Sequence, residues 1–306
     1  AHRSRPSQHG MGRVRRRRLH LVEGTYVLFR AHYSTRPDRE DGQGRDVKAT
    51  VGFVASMLGL LADEQITHAA VAFDNPIESF RNERFPAYKD SSGVEQAILD
   101  QFDLVEEAAD AIGLIVWSMD ELEADDALGA AALRFSDEVD QVRIVTADKD
   151  LGQVVRGQQI VQLDRRQDRI IDESAVQERF GVAPTSIPDY LGLVGDTADG
   201  IPGIKGFGAK TAAALLSHYE HLEAIPDDGA AWEVDVRGAA RLAETLAAHR
   251  DEALLYRELA TLVTDWRPEQ DLGGLEWQGV PRGPYLDLCE RLDVEALRDR
   301  PHRWRE

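Results

Sequence analysis

The sequence predicts an α/β fold: a mostly parallel sheet flanked by helices, followed by a helical C-terminal region. Three observations carry this. Short apolar runs alternate with helical patterns from residue 19 to about 173, the connections between them are short, and beyond that point only helical patterns remain. In order, strands are predicted over 19–22, 69–73 (AAVAF), 114–117 (LIVW), 142–146 (VRIVT) and 159–163 (QIVQL). Their near-continuous apolar character fits a parallel sheet covered on both faces. Helices are predicted over 47–61, 94–112 and 124–135, and after 173 over 174–180, 186–193, 208–218, 239–262 and 285–297. Residues 268–282, with Gly273, Gly274, Gly279 and Pro281, read as a loop.

Composition narrows the class. The chain has 306 residues, 42% hydrophobic and 30% charged, with 36 Lys+Arg against 55 Asp+Glu and a net charge of −19. Such a chain buries a full core, and no apolar run approaches the ~18–20 residues of a membrane span. Cys289 is the single cysteine, which excludes a disulfide framework and a cysteine metal site and fits a reducing cytosol, so a cytoplasmic, membrane-free protein is expected. Residues 1–20 hold seven arginines and no acid, leaving about −26 on the rest. Residues 1–18 read as a disordered basic tail without the apolar stretch of a signal peptide, and Met11 as a candidate start. Excess acid either solvates a surface or gathers around cations, and composition does not choose between them.

Placement of the acids is more telling. Strand 19–22 ends in Glu23, strand 69–73 in Asp74, and strand 142–146 runs into Asp148 and Asp150; strand 114–117 is followed by Glu123, Asp125 and Asp126 at a helix start. Any one of these can be a helix cap or a turn residue. Seven at the carboxyl edge of a parallel sheet occupy the place where such folds put their ligands. Bare carboxylates so close together repel one another and resist ionisation, and divalent cations with all-oxygen ligation, Mg²⁺ or Mn²⁺, remove that penalty.

A second stretch, GDTADGIPGIKGFGAKT over 195–211, places Asp196 and Asp199 just ahead of a turn with Gly203, Gly206 and Gly208, and then Lys210 and Thr211. A glycine-rich turn entering a helix N-terminus presents backbone amides to phosphate oxygens, and Lys205 and Lys210 add charge. Taken alone, the glycines also suit a plain linker between two helices.

With these motifs in hand, the sequence resembles the bacterial 5′ nucleases, the flap endonuclease/5′–3′ exonuclease family that also forms the N-terminal domain of DNA polymerase I. The resemblance runs from residue 19 to about 265. It rests on Phe80-Arg81 with PAYK over 86–89, EADD over 123–126, VTADKD over 145–150, PDYLGLVGD over 188–196 with IPG over 201–203, and RELATL over 257–262. With no polymerase domain following, a stand-alone member is expected.

The resemblance implies a PIN-like nuclease core over 19–183 with a helical arch over 80–104, a helix–three-turn–helix region over 184–265, and a C-terminal extension over 266–306. It implies two divalent ions. Glu23, Asp74, Glu123, Asp125 and Asp126 would surround the first, Asp196 and Asp199 the second, and Asp148 and Asp150 would lie between them. It further implies that Lys89 positions the scissile phosphate with Arg81 beside it, that Tyr88 stacks on an unpaired base, and that a K⁺ ion sits in the helix–three-turn–helix. The expected partner is DNA with 5′ flaps, nicks or 5′ ends, bound by a monomer and cut to give 5′ phosphates in replication or repair. Three positions depart from the family pattern: Glu23 stands for an Asp, Asp90-Ser91-Ser92-Gly93 for a more basic arch, and Ala198 and Gly200 for Ser and Asn. Glu23 and the less basic arch motivate a second reading, a catalytically weak structure-specific DNA-binding protein. A third, a ribonuclease on a related sheet, leaves the glycine turn without a purpose.

Overall fold

The computed structural model describes residues 16–306. Most of the predicted basic tail lies outside the described residues; its last residue, Arg18, already belongs to the first strand. The chain runs β1 Arg18–Glu23, α1 Gly24–His32, α2 Lys48–Leu61, β2 His68–Asp74, α3 Phe80–Arg84, α4 Gln96–Leu99, α5 Phe102–Ala111, β3 Ile115–Met119, α6 Ala124–Phe135 and β4 Gln141–Val145. It continues as β5 Ile160–Asp164, β6 Arg169–Ile171, α7 Glu173–Phe180, α8 Ile187–Val194, α9 Ala209–Tyr219, α10 Ala239–Ala248, α11 Arg250–Ala260, β7 Val280–Pro281, α12 Arg282–Arg291 and β8 Trp304–Arg305.

The main sheet has the order β3-β2-β1-β4-β5-β6, parallel throughout except for β6, which returns antiparallel on β5. Alternation along each strand sends side chains to opposite faces. Leu19 and Leu21 of β1 and Ala70 and Ala72 of β2 pack with α6, whereas Val22, Val71 and Phe73 pack with α1, α2, α5 and α12. With β1 at the centre, the ends of β1, β2 and β4 come out side by side. Helices α8 to α11 enclose a separate apolar cluster, pinned where Asp189 on α8 meets Arg257 on α11 at 3.3 Å.

Several expectations are corrected. Helix α1 was not foreseen, since Gly-Thr-Tyr-Val-Leu-Phe is rich in β-formers; burial of Val27, Leu28 and Ala31 overrides that propensity. Gly24 makes the turn into α1 feasible: a Cβ there would lie 2.4 Å from the ring of Phe73. The helix expected over 94–112 is divided at Asp100–Gln101. Buried Gln101 spends its side-chain amide on Ala97 O (2.8 Å) and on Thr50 N and Oγ1 (3.0 and 3.1 Å). Ile98 and Phe102 join the core, so residues 96–104 are part of the body of the protein rather than of a free arch. The helix expected over 239–262 is broken at His249. Strands do not end at 173, because β7 pairs with β8. The segment after 265 crosses the far end of the sheet: Leu272 and Leu275 pack on one face, Trp277, Tyr285 and Leu288 on the other, and Trp277 N donates to Thr67 O at 3.0 Å.

Candidate metal centre

At the carboxyl edge the backbone itself arranges the acids. Thr146, just beyond β4, donates its hydroxyl to the Glu23 carboxylate and accepts from Asp148 N at 2.9 Å. Asp148 Oδ1 in turn accepts from Asp150 N at 2.9 Å. On the other side of β1, Asp74 Oδ1 accepts from Ala124 N at 2.8 Å and so fixes the start of α6, where Asp125 sits. Asp196 accepts from Ala198 N at 3.0 Å within a tight loop closed by paired Asp196 and Ile201. These short bonds aim one carboxylate after another at a common space.

That space suits cations and is poorly suited to bare carboxylates. Burial, reinforced by the charge of Asp148, pushes Glu23 up to about 8. Burial also raises Asp74 and Asp199, and holds Asp125 and Asp150 well above the usual carboxylate range, with Glu23 and Asp148 adding repulsion. Asp125 Oδ1 and Asp150 Oδ1 are buried without a hydrogen-bond partner. Asp150, Asp196 and Asp199 each bring a carboxylate oxygen within 4.8 Å of the others. Orphaned hard oxygens in a dense acidic cluster match the donor set of a hard divalent ion. Asp150, Asp196 and Asp199 would hold one ion, and Glu23, Asp74, Asp125 and Asp148, whose charges act on one another, would surround a second.

Two lysines already face this cluster. Lys89 Nζ lies 2.9 Å from Glu123 Oε2 and 3.0 Å from Asp199 Oδ1. Burial favours its neutral form, but the charges of Glu123 and Asp199 outweigh burial and hold it well above the normal lysine value. Lys149 contacts Asp196 and lies 3.5 Å from Asp150 Oδ1. Neither Lys149 nor Thr146 was singled out from sequence; their position at or between strand-end acids was the available signal.

Four expected residues have other employment. Arg81, only 2% exposed, pairs bidentately with Asp126 (2.8 Å twice), reaches Glu123 at 3.2 Å, and donates to Leu259 O and Thr261 O at 2.8 and 2.9 Å. It welds α3 to α6 and the end of α11 and is not presented to a phosphate. Asp126 also accepts from the amides of Glu123 and Val263, so both of its oxygens are engaged by Arg81 and backbone amides. Glu123 is surrounded by Ser79, Arg81, Lys89 and Tyr88 as donors; burial would raise it, yet Lys89 and Arg81 hold it below the ordinary value. It anchors Lys89 beside the cluster. Tyr88 is 4% exposed with its hydroxyl 3.3 Å from Glu123, which leaves no face for stacking on a base.

The glycine turn is placed at the surface. Gly203 and Gly206 adopt φ of +70° and +95°, and Lys205, Gly206, Gly208 and Lys210 are exposed, with Thr211 half-buried. Gly208 begins α9 without a side-chain cap, so the first amides of the helix have no intrahelical partner. The departure at Gly200 has a steric reason: φ is +74°, and a Cβ would lie 2.3 Å from Ala87 O. This close approach joins the Asp199 loop to the Lys89 segment, where Lys89 N donates to Asp199 O at 3.0 Å.

Two family models match consecutive parts of the chain: the 5′-3′ exonuclease N-terminal resolvase-like domain over residues 18–181 and the 5′-3′ exonuclease C-terminal SAM fold over 182–282. DNA polymerase I of Bacillus subtilis is 31% identical over 93% of this chain and 32% of its own length. DNA polymerase I of Mycobacterium tuberculosis H37Rv is 34% identical over 92% of this chain and 31% of its own. The chain thus spans about a third of the length of these relatives. Among solved structures, T5 5′-exonuclease with bound zinc superposes with a TM-score of 0.65 at 17% identity, covering 81% of this chain and 90% of that one. The catalytic core of Rad2 in complex with DNA substrate superposes with a TM-score of 0.58 at 15% identity, covering 92% and 88%. At such identities these structures show the shared fold.

Proposed function

Since the chain belongs to the 5′-3′ exonuclease family and is a nuclease, we propose that it is a metal-dependent, structure-specific DNA hydrolase acting at 5′ flaps, nicks and 5′ ends as flap endonuclease and 5′–3′ exonuclease. The observation that carries this is the cluster of Asp150, Asp196 and Asp199, together with buried carboxylate oxygens of Asp125 and Asp150 that accept no hydrogen bond. Two divalent ions, Mg²⁺ or Mn²⁺, supply activation of water and stabilisation of the leaving 3′ oxygen when bound there. The chain's residues do the rest. Lys89, held protonated by Glu123 and Asp199, offers its ammonium to a phosphate oxygen at the cluster. The 203–211 turn grips backbone phosphates without reading bases, so geometry selects the cut. The same turn is the place proposed for a K⁺ ion. Opening terminal base pairs costs a few kcal/mol, which favours ends and flaps over intact duplex. Action as a monomer in the cytoplasm is part of this reading; among the described residues no helix is long and apolar enough to cross a membrane.

A labelled 5′-flap duplex tests it. Incision near the flap junction with Mg²⁺ or Mn²⁺, leaving a 5′ phosphate and abolished by EDTA and by Asp148→Asn, is expected. Selective binding without product under any metal would instead favour the weakly catalytic DNA-binding reading, which Glu23 motivates.

A further inference from the structure

Beside the acidic edge lies a feature of opposite sign. The turn between β5 and β6 reads Asp-Arg-Arg-Gln-Asp-Arg over 164–169, and with α7 it encloses a cleft of about 500 Å³ whose walls include Arg166, Arg169, Arg179 and Ala147. All three arginines are exposed, and among the described residues none has a carboxylate within ion-pair distance. Asp164 faces the same cleft but is 5% exposed, with Oδ1 accepting from the amides of Arg166 and Gln167 at 2.8 and 3.3 Å. Its charge is spent on holding the turn that displays the arginines. Glu178 also lines the cleft, and Asp168 stands in the turn between Arg166 and Arg169. In a chain of net charge −19, three exposed arginines without an ion pair around one cleft suit an anionic occupant.

Its place says which. Ala147 lines the cleft and immediately precedes Asp148 of the metal centre. At the other end Arg179 lies two residues before Gly181, where a Cβ would lie 3.0 Å from the methyl of Ala213 on α9, the helix whose first turn carries Lys210. Exposed cations thus stand at Lys205 and Lys210 before and on α9, at Arg179 on α7, and at Arg166 and Arg169 in the hairpin whose cleft reaches Ala147. We propose that this cleft binds the sugar–phosphate backbone of the DNA duplex beside the scissile bond, a subsite distinct from the glycine turn. The proposal rests on the nuclease reading above. Arginine forks suit phosphate oxygens and carry no base information at the backbone, so the subsite adds affinity and register without sequence preference.

The test is fluorescence anisotropy of a fluorescein-labelled 5′-flap duplex across a salt series, in EDTA and in Ca²⁺. Wild type is compared with Arg166→Ala/Arg169→Ala/Arg179→Ala, with the triple Lys variant, and with Arg134→Ala, which removes an exposed arginine on α6. Each lost phosphate contact lowers the slope of log K against log [salt] by about 0.9. The triple Ala variant is expected to bind at least about tenfold more weakly with a slope shallower by about 2–3, the triple Lys variant to recover most of both, and Arg134→Ala to match wild type. An unchanged affinity and slope in a folded triple Ala variant, while wild type binds and cuts the flap, overturns the subsite alone. Absence of structure-selective binding by wild type overturns the nuclease reading and the subsite together.

Discussion

Replacing Asp126 by Ala strands the Arg81 guanidinium among buried groups, and breaking such a pair costs about 3–5 kcal/mol. Chemical denaturation is expected to show a loss of that size, with the rise in Tm caused by divalent ions preserved. Asp150→Asn should do the reverse: a metal-free protein at least as stable as wild type, because a crowded carboxylate is relieved, and a divalent-induced rise in Tm that is largely gone. If Asp126→Ala abolished that rise with the fold intact, its assignment as the Arg81 partner would be wrong. His20, fully buried on β1, offers another reading of burial. Desolvation, with Arg143 and Arg18 adding repulsion, brings it down to about 3 from the 6.5 of an exposed histidine. The folded state therefore refuses a proton that the unfolded chain accepts below pH 6.5, and stability drains away as pH falls from 6.5 toward 3. His20→Leu, which also removes two ring nitrogens without hydrogen-bond partners, should lessen the drop in Tm between pH 7 and pH 5. At this scale the acids were legible by residue type and strand-end position. Which acids turn inward to arginine was not, because that depends on Arg81 reaching from α3 to α6, and the two are joined only by tertiary contact.

Among the elements, loops decide the site. The loop through Asp199 and the segment through Lys89 touch so closely at Gly200 that no side chain fits. Gly200→Asn restores the residue expected of relatives and tolerates positive φ, yet its Cβ meets Ala87 O. The expected result is a lower Tm together with weaker Mn²⁺ binding by calorimetry, since Asp199 and Lys89 would move as a pair; wild-type values for both would remove the coupling. The central strands and α6 were readable because apolar runs and period agree with their burial on both faces. Helix α1 was hidden, since its aromatic and β-branched residues take helical form only by packing on α2. The broken helix over 94–112 was hidden for a different reason: the break at Gln101 is specified by Thr50, 51 residues earlier in the chain.

For the molecule as a whole, the proposed function couples acidity to activity through cations. Without metal, the folded state keeps Glu23 protonated up to about 8, whereas the unfolded chain releases that proton near 4.5. Stability of the metal-free protein should therefore fall as pH rises from about 4.5 to 8, with the other raised carboxylates adding to the slope. Tm in EDTA is expected to be lower at pH 8 than at pH 6, and millimolar Mg²⁺ or Mn²⁺ to lift it most at pH 8; equal shifts at both pH values would place metal binding away from this cluster. The α/β class was legible from alternation alone. The far segment after 265 was not, because its apolar residues are scattered through a glycine-rich loop and acquire meaning only where Trp277 meets Thr67 at the opposite end of the sheet. The central claim, that the carboxyl edge of the sheet holds two divalent ions, is met most directly by titrating Mn²⁺ into the protein calorimetrically and counting ions per chain. Two sites are expected in wild type, falling to one in Asp196→Asn. Fewer than two in a wild-type protein that still incises a flap, or two retained in Asp196→Asn, would contradict it.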